Sequence, residues 1–183
     1  MKSHYGDPDY VSKPIPIIAD TEKCLQGCYG YGVNMDTVYI NTDKSISLAG
    51  GDFAVVCGAN HVRLRYAVYT RVGIFNTSGL AVGLITDEMK LNTARRFAPV
   101  LPNVDKFYCY EIRSECHDAP YCTKPIFANT KIKTILVQYR INLNPHTKTG
   151  PSTDELIWPI ILGYLVKQQF CACVILSPVS CLS

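Results

Sequence analysis

His61 is the side chain that this sequence places best for acid–base chemistry. It closes the turn Gly58-Ala59-Asn60-His61 between two β-rich runs, and Arg63 and Arg65 follow it. A loop histidine at the rim of a sheet can serve as a general base or a metal ligand, because its charge changes near neutral pH. Asp36 or Asp52 would orient such a base, and Arg63 or Arg65 would steady an anion. That set describes a small hydrolase or lyase. No nucleophile accompanies it, however, and no Gly-x-Ser-x-Gly elbow occurs in the chain. Nothing in the spacing fixes either aspartate relative to His61. The plainer reading is a turn residue beside a cationic strand.

Cysteine is the second source of chemistry. There are nine: Cys24, Cys28, Cys57, Cys109, Cys116, Cys122, Cys171, Cys173 and Cys181. An odd number leaves at least one without a partner in the chain. Cys24/Cys28 and Cys116/Cys122 flank turn-rich sequence, and short loops are cheap to close, so both pairs read as loop disulfides. Cys57 and Cys109 lie in the apolar runs Val-Val-Cys and Phe-Tyr-Cys-Tyr, where they read as small buried hydrophobes carrying free thiols. A zinc site built from Cys24, Cys28, Cys116 and Cys122 is the metal alternative. The Cys116-to-Cys122 spacing is longer than a Cys-x2–4-Cys knuckle, so the expectation is that no metal binds.

The third set is suited to recognition. Tyr29, Tyr31 and Tyr39 surround Asn34 and Asp36, a polar-aromatic grouping that could form a platform for a sugar. Tyrosine is also simply a good strand residue. The glycines from Gly27 to Gly32 do not follow a strand and open a helix, which argues against a phosphate loop. Asn76-Thr77-Ser78 is a glycosylation sequon in a turn.

These residues must be positioned by strands. Residues 52–86 read as a three-strand antiparallel meander with turns at Gly58–His61 and Asn76–Gly79. In the middle run Tyr66, Val68, Val72 and Ile74 should face the core, with Arg65, Tyr69 and Arg71 opposite. Further strands are expected near Val38, at 45–48, at 106–113, at 133–143 and at 157–166. The 133–143 run has the longest alternation, with Ile135, Val137, Tyr139, Ile141 and Leu143 inward. Between 87 and 103, Leu91, Ala94 and Phe97 allow at most two helical turns before Pro99 and Pro102 intervene. The pattern predicts an all-β fold, a jelly-roll-like antiparallel sandwich with less than about 15% helix, against a usual share of about 30–35%. It covers residues 20–166. Residues 1–19 read as an extended surface arm rich in proline, and 167–183 as a Cys-rich tail foreign in composition to the rest.

Composition narrows the function. The chain has 183 residues, 48% hydrophobic and 18% charged, which suits one globular domain. A net charge of +3 without a dense Lys/Arg stripe does not favour nucleic acid as a partner. No stretch approaches the roughly 18–20 apolar residues of a membrane span. The first residues, Met1 to Pro8, lack the apolar centre of a signal peptide, whereas loop disulfides would require an oxidising compartment.

Asn34-Met35-Asp36-Thr37-Val38-Tyr39, followed by a strand and then Tyr66-Ala67-Val68-Tyr69, resembles the openings of uncharacterised β-rich domains of secreted or envelope proteins. The match covers about a fifth of the chain. The resemblance implies an extracytoplasmic β-sandwich and supplies no catalytic residue. The expectation is therefore a non-catalytic extracellular binding or structural module without a cofactor. Its partner would be a glycan, held by Tyr29, Tyr31, Asn34, Asp36 and Tyr39, or another extracellular protein. The His61-based enzyme is the alternative.

Overall fold

Alternation of β-branched and polar residues builds the centre of the molecule. The structure, a computed structural model, describes residues 6–12, 14–17, 37–117, 121–127, 133–142, 144–147 and 156–165. In chain order the strands are β1 (Tyr10–Ser12), β2 (Pro14–Ile17), β3 (Thr37–Thr42), β4 (Ile46–Ser47), β5 (Phe53–Ala59), β6 (Tyr69–Asn76), β7 (Ala81–Ile85), β8 (Phe107–Arg113), β9 (Cys122–Thr123), β10 (Thr134–Asn142) and β11 (Ile160–Tyr164). Two single-turn helices, α1 (Asp87–Lys90) and α2 (Ala94–Phe97), follow β7. The first sheet has the order β1-β11-β5-β8-β9, and the second β2-β3-β10-β6-β7, with β4 also paired to β10. The short β8–β9 pair is parallel; the other pairings are antiparallel.

The fold is an all-β sandwich. On β10, Ile135, Val137, Tyr139 and Ile141 are all buried, as the alternation requires. They join Ile40, Val72 and Ile74 of the same sheet and face Ala54, Val56, Tyr108, Tyr110, Ile112 and Ile161 of the other. Burying one such aliphatic side chain fully is worth about 1.5–3 kcal/mol, so this interface dominates the stability. The first sheet has a second apolar layer on its outer face. Phe53, Val55, Cys57, Cys109, Leu162 and Tyr164 meet there and are closed over by Phe97 of α2. Apolar cover on both sides explains why β5 reads Phe-Ala-Val-Val-Cys without alternation.

The expected meander is two-thirds present. β6 and β7 form a hairpin, but β5 belongs to the opposite sheet. Residues 61–68 are the arch between the sheets rather than a strand. The His61 carbonyl accepts from both the Tyr66 and Ala67 N–H groups, and Leu64 N–H donates to Asn60 O. Tyr66 and Val68, expected to face inward, are consequently exposed, whereas Val72 and Ile74 are buried. The N-terminal segment expected to lie on the surface as an arm instead supplies β1 to the edge of the first sheet and β2 to the edge of the second. Pro14 and Pro16 are tolerated because an edge strand has one unpaired side. Tyr10 lies across Gly163, where a Cβ would come within 2.0 Å of its ring, so any other residue there would require the Tyr10 ring to move. The tail at 167–183, with Cys171, Cys173 and Cys181, lies outside the described residues.

Candidate functional site

The arch after β5 turns His61 into the interior. Asn60 Oδ1 accepts from Arg63 N–H and tightens the bend. His61 is fully buried. Its Nε2 accepts a hydrogen bond from the Ile157 N–H at 3.1 Å, which places the ring proton on Nδ1. Nδ1 lies 3.2 Å from the Tyr139 hydroxyl, and that hydroxyl donates onward to the Ala59 carbonyl at 3.4 Å. Both ring nitrogens are thus used to join the arch, β10 and the segment before β11.

Lys90 is the centre of the same cluster, and sequence reasoning missed it. The α1 turn begins with Asp87, whose carboxylate accepts from the Thr70 backbone N–H at 2.8 Å and from the Thr70 hydroxyl. One turn later Lys90 is fully buried, with Nζ 2.7 Å from Thr70 Oγ1 and 3.2 Å from Asp87 Oδ1. The ammonium also lies between two aromatic faces, 5.3 Å from the Tyr108 ring centre and 5.1 Å from that of Tyr139. One ring comes from each sheet, so the cation bridges the sandwich. In sequence, Asp87-Glu88-Met89-Lys90 looks like an ordinary solvated helical turn. The only signal was the i, i+3 spacing of Asp87 and Lys90 on a helix too short to have a solvent face of its own.

Burial governs the electrostatics. Desolvation lowers the Lys90 ammonium to about 8, and the Asp87 carboxylate works against that drop. Desolvation, aided by the charge of Lys90, pushes His61 down to about 4, so it is neutral at neutral pH. Tyr108 and Tyr139 are raised well above an ordinary phenol, chiefly by desolvation. The Tyr108 hydroxyl is buried without a well-formed hydrogen bond among the described residues, and the neighbouring Tyr139 hydroxyl adds to the rise.

Among the described residues, the enzymatic arrangement expected around His61 is not assembled. Asp52 stands before the first residue of β5 and His61 beyond its last, so the seven residues of β5 separate them by about 20 Å. Asp36 lies outside the described residues. Arg63 and Arg65 are exposed on the arch, Arg65 with a left-handed φ of 63°. A recess of about 150 Å³, lined by Asn60, Val62, Arg63, Asp87, Glu88 and Leu91, touches the carboxylate end of the cluster but not His61.

The cysteines differ from expectation at one pair. Cys116 and Cys122 are joined in a disulfide, which removes both as zinc ligands. Cys57 and Cys109, expected as buried thiols, are also joined. They stand directly opposite each other in the β5–β8 register, with Cα atoms 4.1 Å apart. The Cys109 N–H donates to Thr93 Oγ1 rather than to β5, so this is a close, non-hydrogen-bonded pair. Reading each strand alone hid a partner that only the pairing reveals. Beside this bond the end of the first sheet carries an apolar cleft of about 250 Å³, with Ala94, Ala98, Leu101, Phe107, Trp158 and Ile160 in its walls.

Of the expected sugar platform, Tyr39 is half-buried on β3 with the Arg140 guanidinium 5.4 Å from its ring centre. Tyr29, Tyr31, Asn34 and Asp36 lie outside the described residues, as do Cys24 and Cys28. Asn76 Oδ1 accepts from the Ser78 and Leu80 N–H groups and so shapes the β6–β7 turn.

No protein-family model matches the chain, and no curated protein matches it. Among solved structures it is similar to the VPA0106 protein from Vibrio parahaemolyticus, at 12% identity and a TM-score of 0.48. That similarity covers 79% of this chain and 34% of the other, so this chain spans about a third of that protein's length. No helix among the described residues is long and apolar enough to cross a membrane.

Proposed function

We propose that this chain is a non-catalytic binding or structural module that works in an extracellular, oxidising compartment. The observation that supports it most is the state of His61. Its two nitrogens are occupied by the Tyr139 hydroxyl and the Ile157 N–H, and no carboxylate among the described residues hydrogen-bonds it. A general base needs a free nitrogen within reach of a substrate proton. The Lys90 ammonium is likewise held from within, by Thr70 and Asp87 and between the Tyr108 and Tyr139 rings, and ties the sheets together. Two disulfides suit an oxidising compartment. The Asn76 sequon sits in an exposed hairpin turn where a glycan could be carried.

The ligand we favour is a carbohydrate, recognised by Tyr29, Tyr31, Asn34 and Asp36, which precede β3, with Tyr39 on β3 itself. Support for the sugar rests on residue type, since aromatic rings beside amide and carboxylate groups suit a polyhydroxylated ring. A glycan array on wild type and Tyr31→Ala, run beside a hydrolase and lyase panel on wild type and His61→Gln, tests both parts. Binding lost in Tyr31→Ala without turnover in either protein is the expected result. Turnover that disappears in His61→Gln would replace the module with the enzyme.

A further inference from the structure

The Cys57–Cys109 bond occupies an unusual place for a structural crosslink. It joins residues already held opposite one another by a seven-residue antiparallel ladder, Phe53↔Arg113 to Ala59↔Phe107. It is not sealed in the main core between the sheets. It belongs to the outer-face cluster, and both cysteines line the cleft formed with Ala94, Ala98 and Leu101. Leu101, at the wall of that cleft, is 42% exposed, and Ile160 is 47% exposed. Cys57 and Cys109 are themselves buried, at 9% and 6% exposure, but both line this cleft, which is therefore the route by which a reagent would reach the bond without opening the sandwich.

We propose that Cys57–Cys109 is a reversible two-electron redox site, addressed by a dithiol through this cleft. A thiolate of the dithiol attacks one sulfur, forms a mixed disulfide and expels the other cysteine as a thiolate, which takes up a proton. The second thiolate of the dithiol then displaces the mixed disulfide. The dithiol leaves oxidised to its own disulfide, and Cys57 and Cys109 remain as two thiols. Two electrons and two protons have passed to the protein. The β5–β8 ladder keeps the two thiols face to face, so an oxidant restores the same pair without a search through other cysteines. Reduction changes the cleft rather than the fold: a closed apolar lining becomes one that presents two thiols. This inference stands independently of the carbohydrate reading.

The test uses the full chain. Free thiols are first blocked with light iodoacetamide under native conditions. Dithiothreitol is then added, samples are trapped with heavy iodoacetamide over time, and each cysteine is followed by peptide mass. Cys57 and Cys109 are expected to take the heavy label together while the β-sheet circular dichroism is unchanged, and oxidised glutathione added before trapping should restore the bond. Ala98→Leu narrows the cleft and should slow their labelling about tenfold, because exchange depends on access to the sulfur. Leu101→Ala widens it and should speed labelling, with Cys116 and Cys122 labelled at the wild-type rate in both variants. The proposal is overturned if Cys57 and Cys109 react only once the sheet signal is lost. It is equally overturned if both variants, folded by the same spectrum, label at the wild-type rate.

Discussion

The polar cluster between the sheets and the apolar cleft outside the first sheet lie on opposite faces of β8. Tyr108 points one way, beneath Lys90, and Cys109 points the other, beside Ala98 and Leu101. The inner face encloses an ammonium, a carboxylate and an imidazole, each with named partners. The outer face packs a buried apolar layer around a disulfide, with a cleft beside it in whose walls Leu101 and Ile160 are exposed. Ionisable groups are thus confined between the sheets, and the outer cleft is lined by hydrocarbon with a buried disulfide at its wall. Residue type alone does not indicate a reactive site; access decides it.

The sharpest way to break this contrast is to unbalance the inner cluster. Asp87→Ala leaves the Lys90 ammonium buried with Thr70 as its remaining hydrogen-bond partner among the described residues. Removing one partner of a buried pair costs about 3–5 kcal/mol, and urea unfolding should show a loss of that size. Lys90→Met should cost clearly less, because the Asp87 carboxylate is 17% exposed and keeps both Thr70 donors. Equal losses would mean that the charge of Lys90 is not what the cluster is arranged around.

The two disulfides allow a second comparison. Their sequence separations are 52 for Cys57–Cys109 and 6 for Cys116–Cys122. On chain entropy alone the longer crosslink contributes about 4 kcal/mol and the shorter about 2 kcal/mol. Replacing Cys57 and Cys109 together by alanine should therefore lower unfolding stability more than replacing Cys116 and Cys122. Domains of this kind are stable by about 5–15 kcal/mol, so the first double variant should still fold. If the two costs are reversed, the β5–β8 ladder already does the work of the crosslink in the unfolded ensemble.

Acid should act on the inner cluster and not on the cleft. His61 has a folded value of about 4, depressed from 6.5. The unfolded chain then binds more protons between those values, so stability rises with pH across that window. The contribution is complete above pH 6.5 and is lost as pH falls towards 4, on the order of 3 kcal/mol in all. In His61→Gln this acid-side slope should vanish from urea midpoints measured between pH 7 and 4. In Lys90→Met the slope should shrink, since the charge that helps depress His61 is gone.

The sequence revealed the sheets more readily than the clusters. β10 was legible because period-two alternation is imposed by one buried face, and every inward residue named on it within the described chain is buried. The arch at 61–68 was not, because Tyr66 and Val68 continue the alternation of β6 into a segment that must leave one sheet for the other. Cys57–Cys109 was hidden for a related reason: two apolar runs read separately do not reveal their register. Lys90 left almost no trace, since its burial comes from Thr70, Tyr108 and Tyr139, which lie 20, 18 and 49 positions away in the chain and meet it only after both sheets have formed.

The smallest expected effect is the one that examines the openness of the cleft most directly. Ile160 begins β11 opposite Cys57, yet it is 47% exposed, whereas its neighbour Ile161 belongs to the main core at 6%. Ile160→Ala removes a side chain that is only half withdrawn from water. Complete burial of an isoleucine is worth about 1.5–3 kcal/mol, so about half of that, near 1 kcal/mol, is the expected loss of unfolding stability. No cavity penalty should be added, because solvent already reaches the space left behind. The chain has one tryptophan, Trp158, and it stands in the wall of the same cleft. Its emission should shift to the red in Ile160→Ala as water gains access. A loss well above 2 kcal/mol with unchanged emission would mean that the cleft closes around Ile160 in solution, and the two faces of β8 would then differ in polarity but not in access.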